Sequence, residues 1–415
     1  MKKVHFDGTH RVRRPEETWA AVDARREAFG ITRVADVTGL DTLGVPVAVV
    51  VRPAARSLTV SPGQGTSPLL ARISAVMAAL ERWHAEYACP PAELRNVPAG
   101  DLELPYAVGE LAVAEGRLLG ERTPLDWVLA AEVAGGSPAL VPRACVALDE
   151  EATGAWQPPL LHASTDGLAG GNSYDEAVAH ALYEVIERDC TASAAAVPRS
   201  RRVYVDPASV DDPHCADLLR RIADGGARAE IVSVPNRWGL PCFACSISPA
   251  GLPANGFPSH TADSPRPANG FPAAPAVGSG VHSSPGIALG RAVAKAAQNR
   301  LTALVGSRDD LPAVRSGPAP GPTPGAVVGP WAPGRTVAWH EVGGPGREFA
   351  EDTQETRWLA DRLRAVTGRP PLVVDLSTEG GFSVVKVVAP GLGGGSRHGN
   401  PPRREPPGPA VREAA

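Results

Sequence analysis

One run of residues determines the architecture that this sequence predicts: Gly167-Leu-Ala-Gly-Gly-Asn-Ser-Tyr-Asp-Glu-Ala-Val-Ala-His-Ala-Leu-Tyr-Glu-Val-Ile-Glu-Arg-Asp189. Its glycine-rich beginning, residues 167–171, predicts a loop that leads into a helix. Ser173 is typical of a helix N-cap, and Glu176 is its expected capping-box partner. Apolar residues then recur at helical spacing, so we predict a long helix from Ser173 to about Thr191.

Two carboxylates give this helix its chemical interest. Glu184 and Glu187 are three residues apart and therefore share one helix face. They repel each other unless a cation lies between them, and Mg²⁺ with substrate phosphates is the usual biological solution. Arg188 can bind phosphate oxygens, and the glycine-rich loop can cradle a phosphate at the helix N-terminus. The alternative is a solvated surface row with an intrahelical ion pair.

Two further long helices accompany this one. An apolar stripe predicts a helix over residues 68–87, which carries Ser74, Glu81 and Arg82. The other helix is predicted from about Ile287 to Val305 and carries Gln298. Strand-like segments lie between the helices, at residues 47–52, 128–133, 141–145, 229–234, 242–247, 372–376 and 382–388. This alternation predicts an α/β (mixed α+β) fold with mixed sheets packed against long helices.

Composition excludes several classes of protein. The chain has 415 residues, 43% of them hydrophobic, which is enough for a sizeable core. A net charge of −4 argues against a nucleic-acid binder. No apolar run is long enough to span a membrane, and the start lacks a signal-peptide core, so we predict a cytoplasmic protein. Cys242 and Cys245 form a lone C-x-x-C whose side chains point to opposite faces of a predicted strand, against a zinc or redox site.

Together the three helices resemble the YcaO family. Members read S-x-x-x-E-A-x-E-R in the first helix, G-x-A-x-G-N-S-x-x-E-A-x-x-x-A-L-x-E-x-I-E-R-D in the second and T-E-A-x-Q-S-R-L in the third. The second motif is almost complete at residues 167–189. Further family-like pieces are Gly278-Ser-Gly-Val-His282, Gly306-Ser-Arg-Asp-Asp310 and Val384-Val-Lys-Val-Val-Ala-Pro-Gly-Leu392.

This resemblance implies a YcaO-type fold whose long helices carry the nucleotide site. It implies the cofactors ATP and Mg²⁺, bound without a P-loop. Family members phosphorylate a backbone amide oxygen of a peptide, and a nucleophile adds to the same carbon. The product is an azoline with Cys, Ser or Thr side chains, or a thioamide with sulfide. The implied setting is the maturation of ribosomally synthesised peptide natural products.

The site residues are inferred from the matching positions. By resemblance, Glu184 and Glu187 hold Mg²⁺, and Arg188 faces the phosphates. The nucleotide or metal site is lined by Ser74, Glu81, Arg82, Asn172 and Gln298, with Arg188 counted among the nucleotide-binding residues.

Three positions depart from the family pattern. Ala78 replaces a Glu of the first helix, Lys295 replaces a Glu of the third, and Gln64 replaces a Lys in the Gly63-Gln-Gly65 segment. The first two changes remove three units of negative charge from a site for Mg²⁺, and the third returns one. Either these changes impair the site, or Lys295 takes over part of the metal's role against phosphate. Two functions therefore stay open: an ATP-dependent peptide-modifying enzyme, and a degenerate YcaO-like protein that binds a peptide or partner without turnover.

The resemblance also suggests an organisation and partners. We predict an N-terminal helix/strand segment (1–54), a YcaO-like ATP-binding domain (55–392) and a disordered tail (393–415). Within the domain, residues 250–286 are a low-complexity insertion and 317–334 a Pro/Gly-rich connector. The opening residues resemble the branch that travels with TfuA proteins, which implies a TfuA-like partner beside the precursor peptide; a homodimer stays open. The peptide, its modified residue and the nucleophile are not specified by the sequence.

Overall fold

The structure is a computed structural model that describes residues 1–6, 8–114, 119–148, 160–195, 197–250, 276–306, 334–378 and 381–392. Most of the predicted insertion and connector lie outside the described residues. The same holds for the Gly306–Asp310 motif beyond Gly306 and for the predicted tail.

Long helices dominate the architecture, as the sequence predicts. The α-helices of the described residues are α1 Pro15–Asp23, α2 Pro68–Tyr87, α3 Tyr174–Ala195, α4 Pro213–Asp224, α5 Pro285–Val305, α6 Trp339–Gly343 and α7 Asp352–Thr367. Helix α2 begins after Ser67, whose hydroxyl accepts a hydrogen bond from the Leu70 amide at 3.3 Å. Helix α5 ends at Gly306, which adopts the left-handed conformation with φ of 60°. No helix among the described residues is both long and apolar enough to cross a membrane.

The strands form four sheets. They are β1 Val4–Phe6, β2 Thr9–Arg11, β3 Arg33–Asp36, β4 Val47–Val51, β5 Val60–Gln64, β6 Leu94–Pro98, β7 Pro124–Glu132, β8 Pro138–Pro142, β9 Leu168–Gly171, β10 Val203–Val205, β11 Ala227–Ser233, β12 Cys242–Pro249, β13 Ala276–Val281, β14 Arg335–Val337, β15 Leu372–Asp375 and β16 Ser383–Val388. The two larger sheets run in the order β13-β12-β11-β10-β14 and β6-β7-β15-β16-β9, with β8 also paired to β7. The smaller ones are the hairpin β1-β2 and the sheet β3-β4-β5. The predicted mixed α/β class is therefore confirmed.

The glycine-rich segment before α3 is a strand, so the prediction of a loop there was wrong. Residues 168–171 form β9, which pairs antiparallel with β16. A side chain at Gly171 would place its Cβ only 2.5 Å from the Ala177 amide of α3. Glycine is needed here because strand and helix approach each other closely, and a run that looks like a turn in sequence is a strand for that reason.

The capping box at the start of α3 forms only in half. The Ser173 hydroxyl accepts a hydrogen bond from the Glu176 amide at 3.1 Å, as predicted. The Glu176 carboxylate instead accepts from the backbone amide of Asn172 at 3.0 Å and from that of Val12 at 2.7 Å. Glu176 therefore ties the helix start to the N-terminal segment rather than to Ser173.

The close approach at β9 has two counterparts among the described strands. Strands β5, β9 and β13 each lead directly into a long helix, α2, α3 and α5 respectively. A Cβ at Gly63 would overlap the backbone of Ala75, and one at Gly278 would overlap Ala292 and Ala296. Helix α3 also contacts β16 and β13, and thus lies between the two larger sheets.

The N-terminal segment is integrated with the strands and helices beyond residue 54. Strand β4 pairs with β5, which lies beyond that residue, so both sides of the position share the sheet β3-β4-β5. The hairpin β1-β2 contacts α7 through an ion pair between Lys3 and Glu355. The division at residue 54 stays a proposal.

Strand β12 separates two hydrophobic cores. Cys242 packs in the core that includes α3, and Cys245 packs in the core that includes α4 and α5. Both thiols are buried on opposite faces of one strand. The arrangement agrees with a packing role for both.

We predict that Gly278→Ala destabilises the fold, because the added methyl group overlaps the α5 backbone. Overpacking of this kind costs about 1–3 kcal/mol, which a urea unfolding midpoint would detect. The matched control is Gly290→Ala, at a glycine within α5 itself. Its Cβ would lie an ordinary 3.7 Å from Cys215 Sγ, and alanine is the better helix former. Gly290→Ala should hold or raise the midpoint; equal midpoints for both variants would contradict the packing argument.

Candidate functional site

Glu187 of α3 lies where two other elements meet. Its Oε1 accepts hydrogen bonds from Ser279 Oγ of β13 at 2.5 Å and from Lys295 Nζ of α5 at 2.7 Å. Burial opposes ionisation of this carboxyl, but the charge and hydrogen bond of Lys295, the hydrogen bond of Ser279 and the charge of Arg188 together lower the pKa of Glu187. Glu187 is therefore a buried, ionised carboxylate, and its positively charged partner is the side chain of Lys295.

Glu184, one turn earlier on the same face, is less tightly held. Its Oε1 is 3.4 Å from Nη2 of Arg188, and the Arg188 Nε lies 3.1 Å from Oδ1 of Asp166. Burial raises the pKa of Glu184, and the charges of Arg188 and Lys295 oppose that rise. The predicted carboxylate pair and its arginine are thus together. Asp166 is a partner that the sequence analysis missed.

Helix α2 contributes the third carboxylate. The Oε1 atom of Glu81 accepts a hydrogen bond from the Gly170 amide of β9 at 2.7 Å. Burial raises the pKa of Glu81 to about 8, and the nearby charge of Glu184 adds to the rise. The prediction that residues 167–171 cradle a phosphate is therefore wrong at Gly170, because its N–H is directed at a carboxylate.

Asn172 is buried at the start of α3 and is held by polar contacts. Its side-chain amide donates to Glu176 Oε1 at 3.0 Å, and its oxygen accepts from Thr18 Oγ1 at 2.8 Å. Thr18 belongs to α1, more than 150 residues earlier, as the separation of 154 shows. The N-terminal segment thus positions a predicted nucleotide-binding residue, a contact that sequence spacing cannot reveal.

The other predicted residues lie on the same helices. Ser74 and Arg82 are half-buried on α2, and Gln298 is half-buried on α5, three residues after Lys295. The backbone of Ser74 abuts Gly63, which places it beside Gln64 at the end of β5. The chain therefore gathers α2, α3 and α5 as predicted, and Ser74, Arg82 and Gln298 are linked to the site by their position on these helices.

All three departures from the family pattern fall in or beside this region. Lys295 forms the ion pair with Glu187. Ala78 lies three residues before Glu81 on α2 and brings no charge. Gln64 is half-buried at the end of β5, which packs against α5. Glu184 and Glu187 are therefore met by the protein cations Arg188 and Lys295, whereas Glu81 accepts a hydrogen bond from the Gly170 amide.

A cavity of about 350 Å³ lies between α3, α5 and the N-terminal hairpin. It is lined by positively charged and imidazole side chains, among them Arg11, His180 and Arg291. Burial and the neighbouring arginines lower the pKa of His180 well below its usual value, so its imidazole is neutral at pH 7. Burial, with Arg11 next in effect, lowers the pKa of Arg291 to about 10. The same wall also carries the acids Glu176, Asp352 and Glu355, so the positive groups of this cavity are balanced by carboxylates.

A histidine cluster closes one end of that cavity. Ligand atoms of His10, His282 and Glu355 lie within 4.8 Å of one another, a spacing that a metal ion could use. The ammonium of Lys3, however, bonds to Glu355 and lies 2.9 Å from His10 Nε2. A lysine therefore supplies the cation in this cluster. His282, noted in the sequence without a role, stacks on Tyr183 at 4.6 Å.

A second, larger cleft of about 650 Å³ lies on the other side of Arg188. Its polar wall includes Asp166, Arg188 and Lys386, and residues 387–389 form part of its apolar wall. Lys386 is buried, which lowers its pKa, and its Nζ donates to the carbonyl oxygens of Ser164 and Asp166 at 2.5 and 2.8 Å. Lys386 thus fixes the loop that carries Asp166.

The donor set can be tested against the implied cofactors. Carboxylate oxygens are the hard ligands that Mg²⁺ prefers, and Glu81 and Glu184 offer them at the junction of α2 and α3. Glu184 is the more available because its contact to Arg188 is long, whereas Glu187 Oε1 already accepts two hydrogen bonds. Arg188 and Lys295 suit a polyphosphate. The residues present therefore fit Mg²⁺ with a nucleotide. The charge of Glu187 is already neutralised by Lys295.

Comparison with curated proteins finds relatives in bacteria and archaea. The chain is 39% identical over 313 residues to Rv1375 of Mycobacterium tuberculosis, a match that covers 74% of this chain and 65% of that protein. The chain thus spans slightly less than two thirds of this relative. It is 34% identical over 303 residues to a Rhizobium leguminosarum bv. trifolii protein described by its place in the tfuA 3' region, covering 72% and 68%.

Solved structures share the fold. YcaO from Methanopyrus kandleri, bound with AMPPCP and Mg²⁺, superposes with a TM-score of 0.69 at 22% identity, covering 98% of this chain and 100% of that one. A heterocyclase in complex with substrate and cofactor gives a TM-score of 0.66 at 18% identity, covering 92% and 53%. At these identities the likeness concerns the fold.

The family itself is identified from the sequence. The family model described as YcaO cyclodehydratase, ATP- and Mg²⁺-binding, matches residues 62–393. This match confirms the predicted resemblance, and ATP and Mg²⁺ are the cofactors of the family. Because the match covers most of the sequence, the chain belongs to the YcaO family.

Proposed function

We propose that this protein uses ATP to activate a backbone amide of a peptide. One observation carries the proposal: α2 and α3 bring Glu81, Glu184 and Glu187 together, with Arg188 and Lys295 beside them. Carboxylates that can hold a metal, next to cations that suit phosphates, are what a nucleotide site without a P-loop requires. The family description supports the same chemistry.

The reaction overcomes a poor leaving group. The amide oxygen attacks the terminal phosphorus of ATP, and ADP departs. A nucleophile then adds to the amide carbon, and the carbon–oxygen bond breaks to release phosphate. A thiol or hydroxyl side chain of the peptide closes an azoline ring, whereas sulfide gives a thioamide. The protein contributes mainly positioning and charge neutralisation.

The charged residues of the site divide into two roles in this proposal. Arg188 and Lys295 neutralise phosphate charge, while Asp166 and Glu184 hold Arg188 in place. Glu184 and Glu187 are the carboxylates that would hold Mg²⁺, which when bound offsets the negative charge of the phosphates. Ser74, Glu81, Arg82, Asn172 and Gln298 are the remaining nucleotide-site residues by resemblance to the family.

The cleft beyond Arg188 is the proposed entry for the peptide. Its wall combines the polar side chains of Asp166 and Arg188 with the apolar residues 387–389, which suits a peptide backbone with side chains of both kinds. A peptide there would lie next to the phosphate-facing side of α3. Lys386, through Asp166, positions Arg188 between the two substrates.

We further propose a thioamide product made with a TfuA-like partner. The opening residues resemble the TfuA-associated branch, and the Rhizobium relative is described by its place beside tfuA. A homodimer is a further proposal for this protein. The discriminating product assay is mass spectrometry of a precursor peptide, in which a thioamide replaces oxygen by sulfur and an azoline loses one water.

A second function is favoured by one contact. The ion pair between Glu187 and Lys295 already neutralises a predicted metal ligand, and Ala78 removes another. These features suit a YcaO-like protein that grips a peptide or partner without turning over ATP. The two functions differ in whether Mg²⁺ promotes nucleotide binding.

We predict that Mg²⁺ tightens ATP binding to this protein and that Glu184→Gln removes most of that gain. The amide keeps the shape of Glu184 but loses the charge that attracts the metal. The expected loss of the Mg²⁺-dependent gain is at least about tenfold in Kd by calorimetry, or ~1.4 kcal/mol. Glu341→Gln is the control. Glu341 of α6 pairs with Arg335 of β14, and β14 forms the edge of its sheet that is opposite β13. Absence of ATP binding by the unmutated protein would refute the enzymatic proposal.

We predict a different pattern for the binding-protein alternative. The unmutated protein would then not bind Mg²⁺-ATP. The double variant Ala78→Glu/Lys295→Glu would bind it, because the variant restores the two missing carboxylates. Calorimetry on both proteins decides the matter. If the unmutated protein binds Mg²⁺-ATP and turns it over in the presence of a precursor peptide, this second function is excluded.

A further inference from the structure

Lys295 lies in direct contact with a carboxylate of the site rather than on the solvent face of α5. Its Nζ is 2.7 Å from Glu187 Oε1, the same oxygen that accepts from Ser279 Oγ. The Lys295 side chain is 32% exposed, and that of Glu187 is 9% exposed. The ammonium therefore lies at the border between the buried carboxylate and the open part of the site.

The charge of Lys295 acts on both carboxylates of α3. It opposes the effect of burial at Glu184 as well as at Glu187. One cation beside two carboxylates on neighbouring turns lies where a bridging divalent ion would lie and provides half of that ion's charge. An ammonium has three donors, and the bond to Glu187 uses one of them.

The rest of the α5 face agrees with an anionic ligand. Arg291 lies four residues before Lys295 and therefore on the same face. Its guanidinium lies 6.0 Å from the ring centroid of Tyr183 and lines the cavity between α3, α5 and the N-terminal hairpin. Helix α5 thus presents two cations to helix α3, on the face where phosphates would be bound.

We propose that the Lys295 ammonium permanently occupies the position of one divalent cation, so that this protein binds nucleotide with one metal ion fewer than the same site with an acid at position 295. The inference rests on the proposed function, since it concerns the same nucleotide site. In this arrangement Glu187 pairs with Lys295, and Glu184 and Glu81 would bind the metal ion that remains. Lys295 is a positioning residue for the phosphates.

The experiment counts metals separately from nucleotide. Mn²⁺ replaces Mg²⁺, and electron paramagnetic resonance measures the Mn²⁺ bound per protein in the presence of β,γ-methylene-ATP. Equilibrium dialysis of the same samples measures bound nucleotide. Lys295→Glu is the test variant. Arg335→Glu, a change of equal charge at an exposed ion pair of β14, is the control.

The inference requires that Lys295→Glu binds one more Mn²⁺ per bound nucleotide than either the unmutated protein or Arg335→Glu. Lys295→Gln, which frees Glu187 without adding charge, should show the same gain at higher Mn²⁺ concentration and covers the case that Lys295→Glu fails to fold. Equal Mn²⁺ counts with normal nucleotide binding would overturn the inference and leave the proposed function intact. Absence of bound nucleotide in the unmutated protein would overturn both.

Discussion

The close contact between a strand and its succeeding helix is the constraint on which the rest of this structure depends. At Gly63, Gly171 and Gly278 the strand backbone touches the helix backbone directly. Such contact leaves a helix little freedom to rotate or shift, since any displacement brings atoms into overlap. The orientation of Glu81, Glu184 and Glu187 toward one another therefore results from the packing of residues that carry no side chain.

Local patterns predicted the elements of the fold better than the contacts between them. The spacing of apolar residues identified α2, α3 and α5 within a few residues, and with them the carboxylate pair of α3. The same reasoning assigned β9 to a loop, because a glycine-rich run looks like a turn until the helix that packs on it is known. The contacts of Glu176 to Val12 and of Asn172 to Thr18 join distant parts of the chain, which no local pattern reports.

Among the described residues, lysine ammonium groups form ion pairs with buried carboxylates at two places. Lys3 bonds to Glu355 and His10 in a cluster with metal-like spacing, and Lys295 bonds to Glu187 in the nucleotide site. Both lysines neutralise carboxylates that burial would otherwise disfavour. A tethered cation cannot be lost to a chelator and carries half the charge of a divalent ion. This choice of cation separates the site of this chain from the pattern of its family.

The pairing of β4 with β5 has a consequence for how the family match should be used. The match begins at residue 62, inside β5, whereas β3 and β4 come earlier in the chain. Val50 of β4 packs in the same core as Ala75 and Val76 of α2. A truncation at residue 62 would divide β5 and would remove β4, which packs against α2. The family match therefore begins later in the chain than the strands that pack against its helices.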